Sequence, residues 1–129
     1  MAEKNKEAAK EWGKQAENIV CEYLITKGYT VRERNWRPSS SHSEIDLIAQ
    51  IGDTIAFVEV KARSDRDTDP TDAITQEKIK NVVRGANSYL LSQDKDYYYR
   101  FDVAAVNGNV DNYTLDYLED AFLPPLRGR

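Results

Sequence analysis

The run from Glu44 to Lys61 limits what this chain can fold into more than any other stretch. It reads Glu44-Ile45-Asp46-Leu47-Ile48-Ala49-Gln50-Ile51, then Gly52-Asp53, then Thr54-Ile55-Ala56-Phe57-Val58-Glu59-Val60-Lys61. Two β-rich stretches around a Gly-Asp pair predict a two-residue hairpin. Glycine in the first turn position is what a type II′ turn requires, because that residue has φ > 0. With Gly52 and Asp53 as the turn, Ile51 opposes Thr54 and Gln50 opposes Ile55. Further out, Asp46 opposes Glu59 and Glu44 opposes Lys61. Side chains alternate along a strand, so Glu44, Asp46, Glu59 and Lys61 share one face. The other face carries Ile45, Leu47, Ala49, Ala56, Val58 and Val60, which predicts a core. Cross-strand partners have Cβ atoms about 4.5–5.5 Å apart. Two carboxylates at that separation repel unless a positive charge lies between them. A hard divalent cation with oxygen ligands is the obvious candidate.

The chain has 129 residues, so a single domain spanning 1–129 is expected, with a core over about 12–122. A composition of 40% hydrophobic and 31% charged residues is that of an ordinary soluble protein rather than a fibrous or disordered one. No apolar run reaches transmembrane length, and Met1 to Lys10 is charged without an apolar signal core. Both features predict a cytoplasmic protein with no membrane partner. The lone Cys21 excludes an internal disulfide and suits a reducing compartment. One His and one Cys exclude a Cys/His zinc cage. A net charge of −4 argues against a surface that grips nucleic acid all over. It leaves room for a local basic groove, since acidic metal ligands lower the total.

Periodicity supplies the other elements. Glu3 to Lys27 reads as a helix with the stripe Trp12, Ala16, Ile19, Val20, Tyr23 and Leu24, and Gly28 fits its C-terminal cap. Glu17 borders that stripe, where it either points sideways into a cleft or sits as a solvated flank residue. Tyr29 to Asn35 reads as a strand, and Trp36 to Ser43 as a polar loop holding the one histidine, His42. After Lys61, Arg63 to Pro70 reads as a charged loop. Thr75 is an expected N-cap, with Ile74 and Ile79 as a hydrophobic staple, for a helix to about Ser92. Ile79, Val82, Val83, Ala86 and Leu90 are its expected buried face. Tyr97 to Val106 predicts a fourth strand, reached from the third by a right-handed parallel crossover. Asn107-Gly108-Asn109 then predicts a turn, Val110 to Leu118 a fifth strand, and 124–129 a frayed tail.

Phosphodiester hydrolysis calls for the residue types on the hairpin. Asp and Glu hold Mg²⁺ or Mn²⁺, which polarises the phosphate and activates water. A lysine beside them orients the water and offsets charge on the phosphate. In a strand, positions 59 and 61 face the same way, so Glu59 and Lys61 reach one site. Each fragment also has a plain structural reading. Glu-Val-Lys is an ordinary solvent-facing strand, and a Glu44–Lys61 pair is ordinary sheet stabilisation. The Asp46–Glu59 pair is harder to explain that way, because sheet partners usually avoid like charges. No glycine-rich phosphate loop and no nucleophile–histidine pair is present.

Glu-Ile-Asp-Leu-Ile followed by Phe-Val-Glu-Val-Lys-Ala-Arg resembles the signature of the YraN-like family. These are small bacterial proteins regarded as endonucleases of the PD-(D/E)xK superfamily, related to Holliday junction resolvases. Asn35-Trp36-Arg37, Thr75 with Lys78, Arg100-Phe101-Asp102 and Ala121-Phe122 match in the same order, so the resemblance covers roughly Trp12 to Phe122. It implies a restriction-endonuclease-like α/β fold, a three-layer arrangement with a mixed central β-sheet flanked by helices. It implies Asp46 and Glu59 as metal ligands with the Val60 carbonyl as a third, Lys61 as catalytic lysine, and Glu17 as an accessory acidic residue of the site. Gln76 and Lys78 would lie near the cleft and touch phosphate. Arg100 and Asp102 match without an assigned role, and a sheet-edge or cap hydrogen bond accounts for Asp102. Three positions depart from the family pattern. Ser43 and Ala16 stand where glycines are usual, and the customary Phe-Gly is missing from Ser64 to Thr71.

The resulting expectation is a Mg²⁺- or Mn²⁺-dependent endonuclease-like protein acting on DNA, with branched or structured DNA as one substrate class and a homodimer as one assembly. Arg32, Arg34, Arg37, Lys61, Arg63, Lys78, Lys80 and Arg84 are candidate phosphate contacts, although a solvated face explains the strand arginines equally. The alternative is a catalytically silent nucleic-acid-binding or protein-interaction module that keeps the fold. A third reading is a purely structural adaptor.

Overall fold

A computed structural model describes residues 2–38, 44–64 and 75–122. The elements run α1 (Ala2–Thr26), β1 (Thr30–Trp36), β2 (Ile45–Ile51), β3 (Thr54–Arg63), α2 (Gln76–Leu91), β4 (Tyr98–Asn109) and β5 (Asn112–Leu118). The five strands form one mixed sheet in the order β1-β2-β3-β4-β5. Every pair is antiparallel except β3–β4, which is parallel and spans the α2 crossover. This is the expected α/β architecture. No helix among the described residues is long and apolar enough to cross a membrane.

Local chemistry sets the boundaries. Helix α1 ends where Gly28 takes φ 96, and the Tyr29 N–H donates back to the Leu24 carbonyl at 2.9 Å. Gly52 has φ 57 while Asp53 keeps a negative φ, the II′ pattern, and Ile51↔Thr54 closes the hairpin in the expected register. The Thr75 side chain caps α2 by accepting the Lys78 N–H at 3.1 Å. The staple residue Ile74, residues 39–43 of the His42 loop, residues 65–70 of the charged loop and the tail from Pro124 lie outside the described residues.

Two cores cover the two sheet faces. Ala16, Val20 and Leu24 of α1 pack on Leu47, Ala49, Ala56, Val58, Ala104 and Val106. Val82, Ala86 and Tyr89 of α2 pack on Ile45, Ile48, Ile55, Phe57 and Phe101. The expected single core face of the hairpin is therefore corrected: the face shared with Glu59 is also buried, because α2 covers it. Ile45 moves to the α2 side, following its β1 partner Trp36 into that cluster. On α2, Tyr89 is buried while Ile79 is only half-buried.

The last turn also differs from expectation. Strand β4 continues through Asn107, Gly108 and Asn109, and the chain reverses at 110–111 instead. The Asn109 Oδ1 accepts the N–H groups of Asp111 and Asn112, each at 3.0 Å, which closes the reversal there. Gly108 is required within the strand. A Cβ would lie 2.3 Å from the Asn112 carbonyl oxygen, and φ is 120.

Candidate functional site

The candidate residues gather where β2 and β3 meet the first half of α1 and the first turn of α2. Strand pairing between β2 and β3 runs from Ile51↔Thr54 to Leu47↔Val58 and stops. Beyond that point the Asp46 carboxylate, rather than a β2 carbonyl, receives the Val60 N–H at 2.9 Å. The expected Asp46–Glu59 juxtaposition follows from the register, although no ladder bonds close it. The expected Glu44–Lys61 cross-strand pair is not formed. Glu44 precedes the first residue of β2, and among the described residues the two make no ion pair, because the ladder has already ended.

Glu59 is 1% exposed, whereas Asp46 is half-buried. The Glu59 Oε2 lies 3.2 Å from the Lys78 ammonium, and its Oε1 is buried with no hydrogen-bond partner among the described residues. A buried carboxylate left half-satisfied is costly. Burial, and then the Asp46 charge, push the Glu59 carboxyl up to about 8 against the pull of Lys78 and Lys61. Burial also raises Asp46, opposed by the Val60 N–H and by Lys78. For Lys78, burial acts to lower the pKa, and the charges of Glu59 and Asp46 outweigh it. The whole cluster is short of positive charge.

A cleft of about 280 Å³ opens beside these groups, lined by Gly13, Glu17, Asp46, Val60, Lys61 and Arg63 among others. Glu17 thus points into the cleft rather than standing as a solvated flank. Burial raises its carboxyl pKa, a hydrogen bond from Asn35 opposes this, and the Asp46 charge adds to it. The Asn35 amide donates to Glu17 Oε1 at 3.1 Å, and Arg34 stands 3.8 Å from the same oxygen. Asn35 takes φ 51, a left-handed conformation that Asn tolerates better than most residues. Glu59 does not line this cleft; Lys78 lies against it.

The residues present fit a hard cation in a restricted way. Asp46 and Glu59 offer carboxylate oxygens, and the unpartnered Glu59 Oε1 needs a positive partner. Main-chain N–H and C=O of one residue leave a strand on the same side, so the Val60 carbonyl faces the Asp46 side as its N–H does. Among the described residues no three His, Cys, Asp or Glu side chains converge as a metal cage. A cation held here would keep several waters, as Mg²⁺ does.

The cationic candidates divide. Arg37, Arg63, Lys80 and Arg84 are exposed, with Arg63 at the cleft and Lys80 and Arg84 one turn apart on α2. Gln76 is exposed at the start of α2. Arg32 and Arg34 are committed to the fold instead. Arg32 is the extra residue of a β-bulge between Val31 and Glu33. It donates to Gln93 at 2.7 Å and lies over the Tyr89 and Tyr97 rings. Arg34 donates to Asn18 at 2.7 Å.

Two residues escaped sequence reasoning in their actual roles. Asn35 holds Glu17, a role that no pattern of charges announces. Lys78 holds Glu59 directly rather than waiting in the cleft for phosphate. A signal existed for the second: a lysine in the first turn opposes the helix dipole, so something other than helix stability keeps it there.

Over residues 16–106 the chain matches the model of a family described as "Uncharacterised protein family UPF0102". It is 35% identical over 127 residues to a UPF0102 protein of Phocaeicola vulgatus, covering 98% of this chain and 99% of that relative. A UPF0102 protein of Bacteroides thetaiotaomicron is 39% identical over 127 residues with the same coverage. One from Chlorobium chlorochromatii is 40% identical over 119 residues, 87% of this chain and 91% of the relative. With relatives matched almost end to end and a family model covering the hairpin, both cores and most of β4, this chain belongs to the UPF0102 family.

Proposed function

We propose that the protein is a Mg²⁺- or Mn²⁺-dependent endonuclease-like phosphodiesterase of the PD-(D/E)xK type, with DNA as its partner and branched or structured DNA as the substrate class. The observation that carries this reading is the buried Glu59 carboxylate, with one oxygen unpartnered, beside Asp46 and two residues before Lys61. In a purely structural sheet that arrangement is a cost without a return. Asp46, Glu59 and the Val60 carbonyl are the proposed cation ligands. A bound divalent cation would supply Lewis acidity to the phosphate and to water.

The chain's own residues would do the rest. Lys61 reaches into the cleft from the face shared with Glu59 and offsets charge on the phosphate. Glu17, held by Asn35, orients water on the α1 side. Arg63 at the cleft and Arg37, Lys80 and Arg84 outside it contact the DNA backbone, which fixes register without reading sequence. Gln76 and Lys78 would approach the carboxylates from the start of α2.

A second reading is favoured by one observation. Lys78 already occupies Glu59, and no third acidic or histidine ligand completes a cage among the described residues. That suits a module that binds nucleic acid without cutting it. Incubation with linear, flapped and four-way-junction DNA, with Mg²⁺, Mn²⁺ or chelator, separates the two. Cation-dependent cleavage that disappears in Asp46→Ala and Lys61→Ala supports the enzyme. No cleavage of any substrate, or cleavage unchanged in both variants, overturns it, and cation-independent binding alone supports the module. Sedimentation of the free protein tests the homodimer.

A further inference from the structure

We infer that Lys78 is a resident cationic partner, which pairs with Glu59 while the site is empty and leaves it when a divalent cation is taken up. The inference rests on the proposed cation site and assigns Lys78 a role distinct from contacting phosphate at all times.

Four observations lead to it. The Lys78 ammonium sits 3.2 Å from Glu59 Oε2, so a cation held by the same carboxylate would meet its positive charge. The other oxygen, Oε1, is buried and unpartnered, so one ammonium does not satisfy the carboxylate. The Lys78 side chain is 34% exposed whereas that of Glu59 is 2% exposed, so the lysine has a route to water and the carboxylate has none. Lys78 also stands in the first turn of α2, where the helix dipole disfavours a cation. The ion pair is therefore what holds it inward, and its flexible four-carbon stem lets it leave without moving the helix.

Geometry then links the two states. Asp46 lines the cleft and Glu59 does not, with Lys78 against the carboxylate that is closed off. A cation drawn to the Asp46 and Glu59 carboxylates would stand close to the Lys78 ammonium on Glu59, and like charges in a poorly solvated site repel strongly. Departure of Lys78 exchanges one positive partner for another and delivers its ammonium to the mouth of the site. There it can meet an anionic phosphate only once the site is loaded. The lysine thus couples loading to substrate contact.

The test compares wild type, Lys78→Met, Glu59→Gln and the double variant. Mn²⁺ affinity is read by calorimetry, and the rise in melting temperature with Mn²⁺ by thermal unfolding. With the competing ammonium gone, Lys78→Met should bind Mn²⁺ roughly tenfold more tightly than wild type and gain more in melting temperature on loading. Both responses should vanish in the two variants lacking Glu59. Wild type that binds Mn²⁺ while Lys78→Met binds it equally or more weakly overturns this inference and leaves the cation site standing. No response in any form overturns both. If Lys78→Met does not fold, amine labelling of the wild-type protein with mass-spectrometric readout decides. Lys78 should become severalfold more reactive with Mn²⁺ than with chelator, and unchanged or reduced reactivity overturns the inference.

Discussion

Asp102 and Glu59 occupy adjacent register positions on neighbouring strands, with Val58↔Asp102 and Glu59↔Val103, but face opposite sides of the sheet. Both carboxylates are buried, 0% and 1% exposed. On the α1 side Asp102 is fully engaged. The Arg100 Nε donates to both its oxygens at 3.0 and 3.1 Å, the Tyr117 hydroxyl donates at 2.6 Å, and the Asp120 N–H donates at 3.1 Å. Arg100 in turn reaches Tyr29 and Glu119. Burial and the charge of Asp102 keep the Tyr117 phenol protonated far above its usual range. On the α2 side Glu59 has one lysine and a bare oxygen. A sheet-edge bond does not describe Asp102, which lies on an interior strand, although its bond to the Asp120 N–H does cap the turn after β5. A satisfied buried charge fixes architecture; an unsatisfied one in the same sheet is where a cation site is proposed.

That contrast is open to direct attack, starting where the effect is largest. Asp102→Ala strands Arg100 and the Tyr117 hydroxyl, and should cost about 3–5 kcal/mol in urea unfolding. A loss near zero would remove the architectural half of the comparison. The Glu59 half is tested by pH. Its carboxyl titrates near 4.5 when unfolded and at about 8 when folded. Between those values the folded protein holds a proton that the unfolded chain has released. Its contribution is therefore fully present below about 4.5 and is lost as pH rises to about 8. Urea midpoints in chelator should fall across that window by the equivalent of roughly 3–5 kcal/mol, as linkage over that shift implies. Glu59→Gln should flatten the dependence, and a dependence that survives the substitution would assign it elsewhere.

Smaller effects sharpen the picture. Asn35→Ala places alanine in a left-handed conformation and frees Glu17, with an expected loss of about 1–2 kcal/mol. Asn35→Gly should recover the backbone part while leaving Glu17 unheld, so the two variants separate fold from site. Thr75→Ala removes the α2 cap and should cost about 1 kcal/mol, read as a lowered melting temperature. An equal loss in a Lys78→Met background would show that the cap and the Glu59 contact act independently.

Much of this was legible in the residues, and for identifiable reasons. Gly52-Asp53 fixed the β2–β3 register because a turn type dictates pairing, and Gly28 and Thr75 marked helix ends by their caps. Alternation could not reveal that both sheet faces are covered. Ile48, Ile55 and Phe57 share a face with Glu59, and a polar residue within an apolar run does not say whether water or a helix lies opposite. The same ambiguity hid the burial of Asp102, whose neighbours Ala104 and Val106 pack under α1. The β4–β5 reversal was misplaced because Asn-Gly-Asn is a turn signal by composition, whereas Gly108 is needed there for close approach between strands. The Lys78–Glu59 contact joins α2 to β3 across a loop, and no local pattern encodes such a meeting.

Strand order in this sheet repeats chain order, which has a consequence for how the molecule assembles. The β2–β3 and β4–β5 hairpins, each closed by a two-residue reversal, are the most local of its pairings, and hairpins close on the microsecond scale. At that moment Asp46 and Glu59 meet in open water, where two like charges cost little. Their repulsion grows only when α2 settles on the sheet and takes Glu59 out of solvent. Because Lys78 rides on the first turn of that helix, dehydration and a positive partner arrive together. Burial of the Glu59 carboxyl by α2 therefore brings its cationic partner with it.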